Sequence, residues 1–160
     1  VAALHPPFEP VDLASHAAVA VAAAATVTGL RSALLESWPD FRAATDRSNR
    51  QVLAPLTVGD LVTVSALPAV AEEALFRGCV IPALGGGPVG VIVSGMTFGA
   101  LHVGGGRNVA FAAWASAVGC LYGACAVGCG DVSVAIAAHA MANYASATMW
   151  LEKNPDVKLR

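Results

Sequence analysis

The sequence predicts an all-α fold, a polytopic membrane helix bundle of about five transmembrane helices. Three observations lead there. Hydrophobic residues make up 56% of the 160 positions and charged residues 12%, against about 25% charged in a typical soluble domain. Between Gly78 and Trp150 only Arg107 and Asp131 carry a formal charge, too little to build the polar shell of a water-soluble domain. The later apolar runs are near 20 residues long, enough to cross a hydrocarbon core of about 30 Å at about 1.5 Å per residue. The length suits one domain. It divides into a tail, first membrane helix and polar loop at 1–54, a core at 55–150, and a polar tail at 151–160.

The elements follow in order. Residues 1–12, VAALHPPFEPVD, are proline-punctuated and expected to be irregular. An Ala- and Val-rich run from about Leu13 to Leu35 is the first helix. Residues 36–53 carry Glu36, Asp40, Arg42, Asp46, Arg47 and Arg50 and are expected to be a solvated connection. Thr57 and Asp60 look like the cap of a second helix that runs through Pro68 to about Pro82. Membrane helices tolerate such a proline, which kinks them. GGGP at 85–88 is a turn, with Pro88 suited to open a third helix that ends at His102–Val103 before GGGR. This helix is short. A fourth runs from about Asn108 to Gly128 and a fifth from about Val132 to Trp150, and in the fourth Gly119 and Gly123 form a GxxxG that favours close packing.

Alternating these five spans puts Arg31, Arg42, Arg47, Arg50, Arg107, Lys153, Lys158 and Arg160 at one membrane face. The opposite face then holds Glu9, Asp12 and Asp131, as the positive-inside rule expects of a correct topology. Net charge is −2, and no nucleic-acid partner is expected; the lipid bilayer is. Cys79, Cys120, Cys125 and Cys129 match neither a zinc pair nor a redox CxxC and are expected to pack as small apolar residues. Asp131 and Arg107 are expected to be solvated turn residues, and Trp114, Tyr144 and Trp150 packing or interface anchors.

Within this apolar chain stands PAVAEEALFRG, residues 68–78, with Glu72, Glu73 and Arg77. Counting at about 1.5 Å per residue from the opposite face puts Glu72 about 15 Å deep, His102 about 21 Å, His139 about 10 Å and Asn143 about 16 Å. Residues of three helices thus share a slab near the midplane. Glu73 and Arg77, like His139 and Asn143, are four apart and project from one face. Arg77 is therefore expected to neutralise Glu73, leaving Glu72, about 100° away, to meet the histidines. Ionisable residues in a membrane interior mark functional sites by default. These residues could serve a hydrolase, a proton- or ion-coupled transporter, or a non-catalytic immunity-type membrane protein that has kept a pocket.

The same residues carry a family pattern. EEALFR (Glu72–Arg77), FGALH (Phe98–His102) and HAMAN (His139–Asn143) resemble, in order, the EExxxR, FxxxH and HxxxN motifs of the CPBP intramembrane proteases, which include the type 2 CAAX prenyl endopeptidases. The resemblance implies an intramembrane endopeptidase with a membrane-associated or lipidated peptide substrate. Glu72 and His102 would polarise a water, His139 and Asn143 would stabilise the oxyanion, and Glu73 and Arg77 would hold their helix in register. It also raises a divalent metal such as zinc, which Glu72, His102 and His139 would bind if one is present. The stretch WPDFRAATDRSNRQVL further resembles plant plastid-type members, which implies a plastid membrane.

Overall fold

Every regular element in the computed structural model is a helix; residues 12–157 and 159 are described, and no strand occurs among them. Six helices form: α1 (Leu13–Ser37), α2 (Pro39–Leu53), α3 (Asp60–Leu75), α4 (Pro88–Ala100), α5 (Val109–Cys129) and α6 (Val132–Lys153). The five apolar helices expected from the sequence are α1 and α3 to α6. Of these, α1 and α5 are long and apolar enough to cross a membrane, while α4 is a shorter apolar helix. The irregular tail expected at 1–12 lies outside the described residues, apart from Asp12, which caps α1 by accepting from Ser15 N at 3.2 Å.

Residues 39–53 correct the sequence reading. They form α2 rather than a solvated connection. Pro39 opens the helix, where its fixed φ and missing N–H cost nothing, and Asp40 in the first turn and Arg50 in the last suit the helix dipole. Its buried residues, Phe41, Ala44, Thr45 and Ser48, recur at helical spacing. The charges that made the stretch look like a loop lie on the other face.

α3 does not end cleanly. It continues through a π-helical turn, Phe76–Val80, into one further turn, Ile81–Ala83. Pro82 has no N–H to offer the carbonyl four residues back, and its ring would clash there. Widening the preceding turn relieves both. The Phe76 carbonyl meets the Ile81 N–H and also accepts from Ser94 Oγ at 3.2 Å.

Contacts between side chains sort the ends of the helices into two faces. At one end α2, the α4–α5 loop and the chain after α6 are laced together. Arg47 Nε donates to Gly106 O at 3.1 Å, Asn108 Nδ2 to Asp40 O at 3.0 Å, and Trp150 Nε1 to Asp46 at 3.2 Å. Arg50 pairs with Asp46 at 3.2 Å and Asp156 at 2.8 Å. At the other end His16 Nδ1 meets Asp131 Oδ2 at 3.2 Å, tying the start of α1 to the α5–α6 turn. The basic residues of the connections thus gather at one end, as the topology requires. Glu9, Lys158 and Arg160 lie outside the described residues. Asp131 is more than solvated: it caps α6, and the Ser133 hydroxyl and N–H, with His16, hold its carboxyl below the usual range.

Small residues let the helices approach. α1, α5 and α6 meet through Ala20, Ala23, Ala24, Ala126, Ala135 and Ala138 around Tyr122. α4 lies along α5 so closely that a Cβ on Gly95 would fall 2.7 Å from the Cys120 backbone nitrogen, and one on Gly99 2.5 Å from Ala112 O. Gly119, from the GxxxG, is the facing residue, with Gly95 Cα 3.0 Å from where its own Cβ would sit. Outward, Val62, Leu67, Val70, Val89, Ile92 and Met96 are exposed, whereas Glu73, Arg77, Ser94 and His139 are buried. Apolar outside and charged inside is the arrangement suited to lipid.

Candidate active site

Glu72 and Glu73 are adjacent on α3, so their side chains leave the helix about 100° apart. Glu73 points into the bundle and is fully buried. Arg77, one turn on, reaches it with Nη1 to Oε1 at 3.1 Å and Nε to Oε2 at 3.1 Å. The same guanidinium donates from Nη2 to Gly119 O at 2.7 Å and lies 4.8 Å from the centre of the Phe98 ring. Arg77 therefore ties α3 to both α5 and α4. The expected pairing of Glu73 with Arg77 is present.

The partner of His139 is not the one expected. Its Nδ1 lies 2.8 Å from Glu73 Oε1, while its Nε2 faces Glu72 Oε2 at 4.0 Å. The spacing of Glu73 and Arg77 correctly puts them on one helix face. It carries no information about the imidazole that arrives from α6 to share the buried carboxylate. Because that carboxylate accepts, Nδ1 donates to it and Nε2 is directed towards Glu72. Glu72, its side chain 34% exposed, has no partner nearer than that histidine among the described residues.

His102 also departs from expectation. α4 ends at Ala100, and His102 sits in the turn beyond it. Its Nδ1 lies 2.7 Å from Phe98 O, a carbonyl that can only accept, so Nδ1 is the donor here as well. The Phe98 ring holds both imidazoles, with centroids at 4.4 Å for His102 and 6.3 Å for His139. Asn143, one turn past His139, donates from Nδ2 to Ser65 O at 3.3 Å, close to the Pro68 position on α3. One N–H of that amide remains.

Glu72, His102, His139 and Asn143 line a single cavity of about 440 Å³, within the usual range for a ligand site. Glu73 and Arg77 lie behind its wall. No group of three His, Cys, Asp or Glu residues among those described converges to hold a metal ion. The set Glu72, His102 and His139 is thus spread around the cavity rather than gathered at ligating distance, because each Nδ1 is anchored to a different backing group.

Several lining residues escape the sequence reading. Arg107, expected to be solvated, instead lines the cavity, donating from Nε to Ser48 Oγ at 3.0 Å with its guanidinium 5.2 Å from the Phe111 ring. Arg31 on α1 lines it too, as do Ser48 and Asn49 of α2 and Tyr122 of α5, 5.3 Å from His139 between ring centres. Arg31 could have been found, since it is a charge inside an apolar run. Ser48 and Asn49 required knowing that α2 is a helix.

The family model for Rce1-like proteins, described as type II CAAX prenyl endopeptidase Rce1-like, matches residues 54–145. The chain belongs to this family. Neither a curated protein nor a solved structure matches it. Rce1-like membership makes the chain a member of a membrane-embedded family of CAAX-type proteases, in keeping with its two membrane-length apolar helices. The matched segment takes in α3 to most of α6, and with them all three motifs. α1 and α2 precede it.

Proposed function

We propose that the protein is an intramembrane endopeptidase that hydrolyses a peptide bond of a membrane-associated, CAAX-type substrate at the cavity holding Glu72, His102, His139 and Asn143. The observation that carries this reading is the convergence of four polar side chains from α3, α6 and the α4–α5 turn on one cavity inside an apolar bundle. The catalytic core comprises 55–150, with 1–54 and 151–160 flanking it.

In this reading Glu72 takes a proton from a water whose other hydrogen is held by His102 Nε2. The water oxygen attacks the scissile carbonyl, and the free N–H of Asn143 donates to the oxyanion. One such donor is commonly worth about 10²–10³ in rate. His139 completes the transfer. Its Nδ1–H rests on the buried carboxylate of Glu73, which favours the imidazolium once Nε2 has accepted the proton from Glu72. That imidazolium then protonates the leaving amine as the C–N bond breaks. His139 thus serves proton transfer more directly than oxyanion binding. Glu73 and Arg77 position it and do not touch substrate.

A divalent ion in this cavity would supply Lewis-acid activation of the water. Among the described residues the donors are not gathered to fit one. A plastid membrane with the basic face stromal is proposed on the resemblance of the stretch that forms α2. A fluorescent-protein fusion expressed in plant cells tests this: signal confined to the plastid supports it, and signal in another membrane overturns it.

The function is tested with purified protein in vesicles and a lipidated peptide. Glu72→Gln, His102→Ala and His139→Ala should each abolish product while the proteins still fold and insert. Full cleavage by all three would overturn the assignment.

A further inference from the structure

The cavity is lined by cationic side chains as well as by the groups described above. Among its lining residues the formal charges are Glu72, Arg31 and Arg107, two guanidinium groups against one carboxylate. Arg107 is held in place by Ser48 and Phe111, with its two terminal nitrogens still available as donors. Arg31 sits six residues from the end of α1, about 9 Å along the helix. It is half-buried and has neither an ion-pair nor a hydrogen-bond partner among the described residues. An uncompensated cation in a low-dielectric cavity is costly unless an anion joins it. Asn49 Nδ2, also in the lining, is buried with no partner.

We infer that Arg31 and Arg107 bind the free C-terminal carboxylate of the peptide substrate, and so set how far from the chain end the bond is cut. This rests on the proteolytic reading above. A carboxylate is the anion that fits. It matches the planar fork of a guanidinium, it carries the single charge needed to balance the cavity, and it belongs to the molecule that must also reach Glu72. Arg31 faces this cavity rather than the apolar outer surface, which argues against a lipid phosphate as its partner. Arg31 and α2 precede the family-matched segment, whereas Arg107 lies within it.

The test uses the whole protein in phosphatidylcholine vesicles, with an S-farnesyl CAAX-type peptide ending in a free carboxylate and the same peptide ending in an amide. Wild type should cleave the amide about ten- to hundredfold less efficiently, the range of a charged hydrogen bond. Arg31→Gln should lose a similar factor on the acid peptide and almost nothing further on the amide; Arg31→Lys should recover part of the loss. Binding of the two peptides to Glu72→Gln, followed by fluorescence, should show the same preference without turnover. Equal handling of acid and amide by wild type, or equal losses on both peptides in Arg31→Gln, would overturn the inference while leaving proteolysis intact. So would an Arg31 effect that appears only when anionic lipid is added. Failure of wild type to cleave either peptide, with Glu72→Gln still preferring the acid, would overturn the proteolytic reading and leave the carboxylate site standing.

Discussion

The two adjacent glutamates should fail in opposite ways when each loses its charge. Glu73→Gln keeps the shape of the side chain but strips the counter-ion from Arg77, which is 3% exposed. Arg77 would retain the Gly119 carbonyl at 2.7 Å, the neutral amide oxygen at position 73, and the Phe98 and Phe76 rings at 4.8 and 5.8 Å, none of which carries a formal negative charge. Orphaning one member of a buried pair costs about 3–5 kcal/mol, or about 6–20 °C in melting temperature for a chain of this size. Glu72→Gln removes no comparable partner, since its nearest ionic neighbour is His139 at 4.0 Å, and it should melt within a degree or two of wild type. Its cost should fall on turnover instead, about 10²–10⁴-fold for loss of a general base. Circular-dichroism melts in detergent alongside the peptide assay separate the two. Adding Arg77→Met to Glu73→Gln removes the orphaned charge and should raise the melt above that of the single variant. If both glutamate variants melt alike, or Glu72→Gln is the less stable, the assignment of one carboxylate to the scaffold and the other to the chemistry is wrong.

Other consequences are as direct. Gly99→Ala should destabilise the α4–α5 pair by about 1–3 kcal/mol, and adding Ser116→Ala should give only partial relief, because the added methyl also meets Ala112 O and Ser116 N; melts of the single and double variants check it. Peptide cleavage should survive prolonged dialysis against a chelator, since no metal-holding trio converges, and activity lost on dialysis and restored by zinc would refute this. Asp131, its carboxyl held below the usual range by Ser133 and His16, contributes stability above its unfolded value of about 3.9 that fades as pH falls through the lower folded value. Asp131→Asn should flatten that acid limb in melts taken from pH 6 to pH 3.

Hydropathy made the five apolar helices legible, because each spends most of its length among neighbours or lipid and needs almost no charge. The three motifs were legible because ionised groups are rare enough in such a chain to stand out. α2 was not. Six charged residues in eighteen mask the helical spacing of Phe41, Ala44, Thr45 and Ser48, so an amphipathic helix has the charge content of a loop. The π-helical turn has no residue signature beyond Pro82 itself. The bond between His139 and Glu73 was out of reach for another reason. Sequence spacing says which residues share a helix face; it does not say which face of a different helix will meet them. Arg31 and Arg107 both satisfy the positive-inside rule, but a residue can obey that rule and still line a cavity.

The adjacency of the glutamates has a physical logic that a wider spacing would lose. Residues one apart differ by about 100° in direction but only about 1.5 Å in height, so Glu72 and Glu73 reach nearly the same depth while facing different surroundings. One imidazole can then lie between them, with Nδ1 on the buried carboxylate at 2.8 Å and Nε2 towards the cavity carboxylate at 4.0 Å. Carboxylates four apart would share a direction, as Glu73 and Arg77 do, and could not flank the ring. Inserting one alanine between Glu72 and Glu73 would turn one of them by about 100° relative to Arg77 and His139. Cleavage should be lost even though all six motif residues remain. A chain that tolerated this insertion would not be using the His139 bridge at all.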